Sequence, residues 1–172
     1  MSTYGEKVDA TTLRFERILP GPIEKVWEYL TDGDKRGLWF AGGLTDLTPG
    51  GKMELTFRNA QLSSPPDPTP EKYKEFGDGF VSQAKVLVCE APRIFEIEWE
   101  GVVRFELETV GDRVKLVLTH SKLNEGKDTM VGTLAGWHTH LNILGDKLGG
   151  QAPLGFWSVH LSMEIEYEQR LA

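Results

Sequence analysis

Four histidines and one cysteine are the residues of this chain best suited by type to acid–base, metal or nucleophilic chemistry, and their spacing sorts them. His120 follows Val114, Leu116 and Leu118 in an alternating run, so it is expected to point inward at a strand end, where an imidazole can titrate near neutrality. It is the candidate general acid or base; the plain alternative is a histidine hydrogen-bonded at a strand terminus. His138 and His140 lie two apart in a helical stretch, which turns their rings about 160° from each other. Zinc sites on helices use an i, i+4 pair instead. Both are therefore expected as half-exposed residues at the edge of a helix contact, with no metal and no other cofactor. Cys89 ends the apolar run Val86-Leu87-Val88-Cys89 and is expected as a buried structural thiol. As the sole cysteine it can form no intramolecular disulfide. No nucleophile is placed with a base and an orienting acid, and no glycine-rich phosphate loop joins a strand to a helix.

The element that must position these groups is KDTMVGTLAGWHTHLNILGDKL, residues 127–148, which predicts one long helix. At about 100° per residue, Met130, Leu134, Trp137, Leu141, Leu144 and Leu148 share a stripe that faces a core. Asp128 suits the N-cap, and Gly149-Gly150 with Pro153 supplies the stop. Gly132 and Gly136, on one side, each cost about 1 kcal/mol of helix propensity relative to alanine. Close approach of another backbone is the expected compensation.

Ahead of that helix, Leu13 to Leu19 reads as a strand ended by Pro20-Gly21-Pro22. Ile23, Val26, Trp27 and Leu30 then recur at helical spacing, with Pro22 suited to the first helical position. A second helical turn between Gly33 and Gly37 carries Trp39 and Phe40, as core or as pocket wall, into paired glycines. From Gly51 the period is two: Met53, Leu55 and Phe57; Ser82, Ala84, Val86 and Val88; Phe95, Ile97 and Trp99; Val103, Phe105 and Leu107. Charged residues, among them Glu96, Glu98, Glu100, Glu106 and Glu108, take the other face, which is expected to be wetted. Residues 59–77, with Pro65, Pro66, Pro68 and Pro70, read as a long surface loop, either a lid or a disordered insert. Phe156 to Leu171 predicts a last amphipathic helix with Phe156, His160, Met163 and Tyr167 at helical spacing. Runs of strands followed by a long helix make the class α+β.

The length of 172 residues fits one domain, large enough to bury a core and keep a cavity. With 26 acidic and 19 basic residues the net charge is −7, and no basic cluster is interleaved with aromatics, so nucleic acid is not an expected partner. Neither a signal sequence nor an apolar run of about 18 residues is present, which predicts a cytoplasmic protein without a membrane span.

LPGPIEKVWEYLTD after an opening strand, the proline-turned VLVCEAPRIFEIEW, the strand VKLVLTHS, and AGWHTHLNILGDKL together resemble the SRPBCC superfamily, the START and pollen-allergen-like helix-grip fold. Within it the chain is most similar to the bacterial branch related to the activator of heat-shock protein 90 ATPase. The likeness covers about residues 11–150 of a single domain spanning 1–172, with a helical extension over about 151–172. It implies a curved antiparallel sheet of about six strands wrapped around the long helix, with two short helices after the first strand. It also implies a cavity between sheet and helix that accepts a lipophilic ligand: a lipid, a polyketide or a flavonoid-like molecule. Trp39, Phe40, Phe57, Trp99, Phe105, His120, Trp137, Leu141 and Leu144 are the residues expected to line it. Two other readings stay open. One is a cyclase, dehydratase or hydrolase acting on an aromatic substrate through His120. The other is a stress-related co-chaperone that activates a chaperone ATPase and meets a basic partner through the glutamate face. Both monomer and homodimer are compatible with the sequence.

Overall fold

The computed structural model describes residues 2–77 and 79–172. Period-two patterning becomes eight strands: β1 (Glu6–Asp9), β2 (Thr12–Pro20), β3 (Ala41–Gly42), β4 (Lys52–Phe57), β5 (Phe80–Glu90), β6 (Ile94–Glu98), β7 (Val102–Val110) and β8 (Arg113–Ser121). They pair antiparallel in one sheet, in the order β1-β2-β8-β7-β6-β5-β4-β3. The α+β helix-grip architecture is thus present, with eight strands where about six were expected. The two extra ones carry no readable period, because β1 is exposed at all four positions and β3 has only two residues.

Four helices accompany the sheet: α1 (Ile23–Thr31), α2 (Gly33–Arg36), α3 (Lys127–Leu148) and α4 (Phe156–Arg170). Val26, Trp27 and Leu30 bury one side of α1, while Pro22 takes the N-cap rather than the first helical position. The Asp32 carboxylate caps α2 by accepting the N–H groups of Asp34 and Lys35. Arg36 then does what its charge makes unexpected: it is 2% exposed and, among the described residues, has no carboxylate partner. Its guanidinium donates instead to the carbonyls of Leu30 and Ala41 at 3.2 and 2.8 Å, and to the Gly43 carbonyl and Thr45 Oγ1 at 3.3 and 2.8 Å. These bonds fasten the β3 turn to the two short helices. Gly33 is required there, since a Cβ would stand 2.2 Å from the Gly43 carbonyl oxygen.

The inward face of β5 is interrupted. Val86 pairs with Ile97 and Cys89 with Phe95, but the register slips between them and sets Val88 opposite Glu96. This bulge moves Val88 out of the face it was expected to share and turns Cys89 toward the inner face, half-buried rather than fully enclosed. On the outer face Arg104 meets Glu96 at 3.6 Å and Glu106 at 2.5 Å, and Lys115 meets Glu16 at 2.9 Å. Such exposed pairs contribute about 1 kcal/mol or less each.

α3 spans 127–148, and its whole stripe from Met130 to Leu148 is buried. Gly126, not Asp128, occupies the N-cap, without a side-chain bond. His138 and His140 are each 5% exposed, not half-exposed, because α4 and the chain's first residues cover the flanks of α3. Tyr167 joins these parts: its hydroxyl accepts the Gly5 N–H at 2.7 Å and shares a hydrogen bond with His138 Nδ1 at 2.7 Å. The proline-rich segment is folded against α4 as two 3-10 turns, Asn59–Gln61 and Glu71–Phe76. Tyr73 stacks on Trp157 at 4.8 Å, and Asp67 Oδ2 accepts from the Ser158 N–H and Oγ at 2.8 and 3.0 Å. Asp67 thereby caps α4 from a distant part of the chain, where the adjoining Gly155 has no side chain to do so. Among the described residues no helix is long and apolar enough to cross a membrane.

Candidate functional site

Where the sheet curves away from the N-terminal half of α3 it leaves a cavity of about 460 Å³, closed on its far side by α4 and the 3-10 turns. Phe57 at the end of β4, Phe80 at the start of β5 and Trp99 after β6 form one wall. Their rings stack at 4.7 Å for Phe57 and Phe80 and 5.5 Å for Phe57 and Trp99. Phe40, following α2, stacks on Trp137 of α3 at 4.9 Å. Exposed Glu100, Lys122 and Asn124 mark the mouth. Gly132 and Gly136 supply the room: a Cβ at 132 would meet nothing within 4 Å, and one at 136 only His160 Cε1 at 3.9 Å. The backbone approach expected to explain these glycines is absent; they keep a stretch of helix surface bare beside the hollow.

Five of the nine residues expected at the site line this cavity: Phe40, Phe57, Trp99, His120 and Trp137. Trp39, Phe105, Leu141 and Leu144 pack in the core instead. Trp39 is fully buried and donates its indole N–H to the Tyr29 carbonyl at 2.7 Å, and Phe105 packs edge-on against Trp39 and Trp137. Leu141 and Leu144 are fully buried, because the C-terminal half of α3 lies directly on the sheet. The hollow does not run the length of the helix. Of the opposite wall, Tyr73 and Phe76 come from the segment read as either a lid or an insert, while Phe156, Trp157 and His160 were not expected at the site. That wall's only signal was an apolar helical spacing in the tail and aromatics in a loop.

Burial lowers the pKa of His120, His140 and His160, against the pull of their hydrogen-bond partners. Trp137 Nε1–H donates to His120 Nδ1 at 2.9 Å, and His120 Nε2 lies 2.8 Å from the Glu100 carbonyl. Indole can only donate and a carbonyl only accept, so the proton is on Nε2 and both nitrogens are used. Burial also holds this ring below its ordinary pKa. His140 donates Nδ1–H to the Trp39 carbonyl at 2.8 Å, and burial pushes its pKa down to about 3. His160 Nε2 stands 2.9 Å from Glu164 Oε1. Burial works to raise the Glu164 carboxyl, but the Tyr73 hydroxyl and Lys72 Nζ, the latter at 2.7 Å, donate to it and bring it below the usual range. Among the described residues no group of three histidine, cysteine or carboxylate side chains is arranged for a metal ion.

Residues 20–149 match the family described as Activator of Hsp90 ATPase homolog 1-like protein. The chain belongs to that family. Its helix-grip fold places the chain in the SRPBCC superfamily. A Bordetella parapertussis protein, solved by NMR in solution, is 42% identical with a TM-score of 0.82, over 98% of this chain and 91% of that one. CalU16 from Micromonospora echinospora shares 22% identity and a TM-score of 0.65 over 92% and 86% of the two chains. The Aha1 dimer from Colwellia psychrerythraea shares 19% and 0.59 over 80% and 95%. These two show likeness of fold. No curated protein matches the sequence.

The Trp137–His120 bond ties α3 to the end of β8 at the cavity. Trp137→Phe keeps the ring and leaves His120 Nδ1 buried without a donor. It should cost about 1–3 kcal/mol in urea unfolding; a loss within error would show that the bond contributes nothing net.

Proposed function

We propose that this protein binds a hydrophobic, aromatic small molecule in the cavity between the sheet, α3 and α4. The observation that carries the reading is the pairing of bare helix at Gly132 and Gly136 with a wall of stacked rings, Phe57, Phe80 and Trp99. A core that only needed filling would place side chains at those two positions. Flat rings favour a planar polycycle, polyketide- or flavonoid-like, over a flexible lipid chain, because stacking needs a rigid face. Turnover is not part of this reading, since both nitrogens of His120 are committed within the protein.

Burying about 250 Å² of an aromatic ligand is worth roughly 6 kcal/mol, a Kd of tens of micromolar, which association costs weaken toward the sub-millimolar range or beyond. Trp99, Trp137 and Trp157 line the cavity and report occupancy. A panel of two- to four-ring aromatics and fatty acids, titrated by intrinsic fluorescence and thermal shift, should give saturable responses from the aromatics. The proposal fails if none responds by either method.

A further inference from the structure

Unlike the strands and helices around it, the segment between β4 and β5 makes no backbone hydrogen bond to the rest of the fold. Among the described residues, every such bond of 59–77 closes within 58–79, as in Asp67 N–H to the Ala60 carbonyl and Tyr73 N–H to the Pro70 carbonyl. Side chains alone attach it. Leu62 and Ser63 are buried and root its start, and Asp67 is pinned to Ser158 of α4. Beyond Asp67 no described residue from Pro68 to Gly77 is buried, although Tyr73 and Phe76 form part of the cavity wall. The polar tie of this stretch to α4 is one carboxylate: Glu164 accepts Lys72 Nζ at 2.7 Å and the Tyr73 hydroxyl. Tyr73 on Trp157 and Phe76 against Phe80, each at 4.8 Å, complete the closure. Thr69 Oγ1 is buried there without a hydrogen-bond partner, a loss that water repairs when the stretch lifts. A stretch with so few buried contacts opens at small cost.

We propose that residues 68–77 form a lid, anchored at Asp67 and latched on Glu164, and that aromatic ligands enter and leave the cavity beneath it. The proposal rests on the aromatic-binding reading above and adds the route. The standing mouth is marked by Glu100, Lys122 and Asn124, so a ring entering there passes charge, whereas a lifted lid uncovers the aromatic wall itself. The far end of the segment is fixed against β4 at Gly79, where φ is +91° and a Cβ would stand 2.4 Å from the Phe57 carbonyl oxygen.

Trypsin reads the opening without any ligand, because Lys72 and Lys74 lie on the lid and cleavage requires the chain around them to lift free. Glu164→Gln keeps the shape of the latch and removes its charge, and should speed cutting at these two lysines about ten-fold. Tyr73→Phe, which removes only the latch hydroxyl and keeps the stack on Trp157, should act in the same direction and serves if the first variant does not fold. Stopped-flow tryptophan fluorescence with 2-naphthol should then show association and dissociation accelerated together, with Kd changed far less than either rate, because a gate alters passage and not the contacts made inside. A carboxylate that merely stabilised the fold would leave association no faster. Unchanged cutting, or association of 2-naphthol at the unmutated rate, overturns the lid and leaves the aromatic pocket standing. If no aromatic of the panel binds, the pocket reading falls and the gate with it.

Discussion

Lowering the pH from 6.5 to 4 should remove about 3 kcal/mol of folding stability through each of His138 and His140. Burial pushes His138 down to about 4, helped by the nearby charges of Arg17 and Arg170, and pushes His140 down to about 3. Both rings therefore protonate more readily in the unfolded chain, whose histidines titrate near 6.5. Their contribution is complete above that pH and is lost as the pH falls toward the folded values. The structural reason is plain for His140, whose ring lies against Phe40 and Phe156 and already donates to the Trp39 carbonyl. A second proton there would be a charge among rings. At His138 it would add a buried charge beside Arg17 and Arg170, next to the Tyr167 contact that joins α3 to α4. His120 and His160 are also lowered and act in the same direction. Asp9, Glu16 and Asp46 are lowered carboxylates and enter only at more acid pH. Urea unfolding at steps from pH 7.5 to 4.5 should show a slope approaching two protons, about 2.7 kcal/mol per pH unit, and His138→Gln with His140→Asn should flatten it. A level profile in the unmutated protein would contradict the burial of these rings.

Gly132→Leu is expected to strengthen the fold while closing the site. A Cβ at 132 would meet nothing within 4 Å, so the helix should gain the difference in propensity, roughly 0.8 kcal/mol. Because Gly132 lines the cavity, the added side chain is expected to take up part of it. Aromatic ligands should bind at least ten-fold more weakly, about 1.4 kcal/mol, as the melting temperature rises. Most substitutions that abolish binding also weaken a protein, so opposite signs in one variant separate a cavity kept for a ligand from loose packing. Unchanged affinity would move the site away from α3.

The pattern of the chain made the hairpins and α3 legible because each buries one face, and a buried face has a period. β1 has none to show, being exposed throughout, and the bulge in β5 broke a period that looked continuous through Val88. At the site, Phe57, Trp99 and Trp137 could be named from inward faces and Phe40 from its place before paired glycines, once the resemblance implied a cavity. Leu141 and Leu144 share the stripe of Trp137, but a stripe tells which side of a helix meets the sheet and not where the sheet bends away. The angular argument set His138 and His140 at a border correctly; it could not show that α4 would cover that border. His160 and Glu164 stand at i, i+4, a readable spacing. What they face depends on the docking of α4 against residues some 90 positions earlier, through Asp67, Lys72 and Tyr73. Contacts that distant leave no local trace.

The family match ends at residue 149, whereas Phe156, Trp157 and His160 come from beyond it. The part matched by the family therefore furnishes one wall of the cavity and, through Tyr73 and Phe76, a share of the other, which α4 completes. Relatives that share the first and differ in the second would inherit a common architecture with different tastes, so kinship in ligand choice is better judged by comparing tails than by comparing cores.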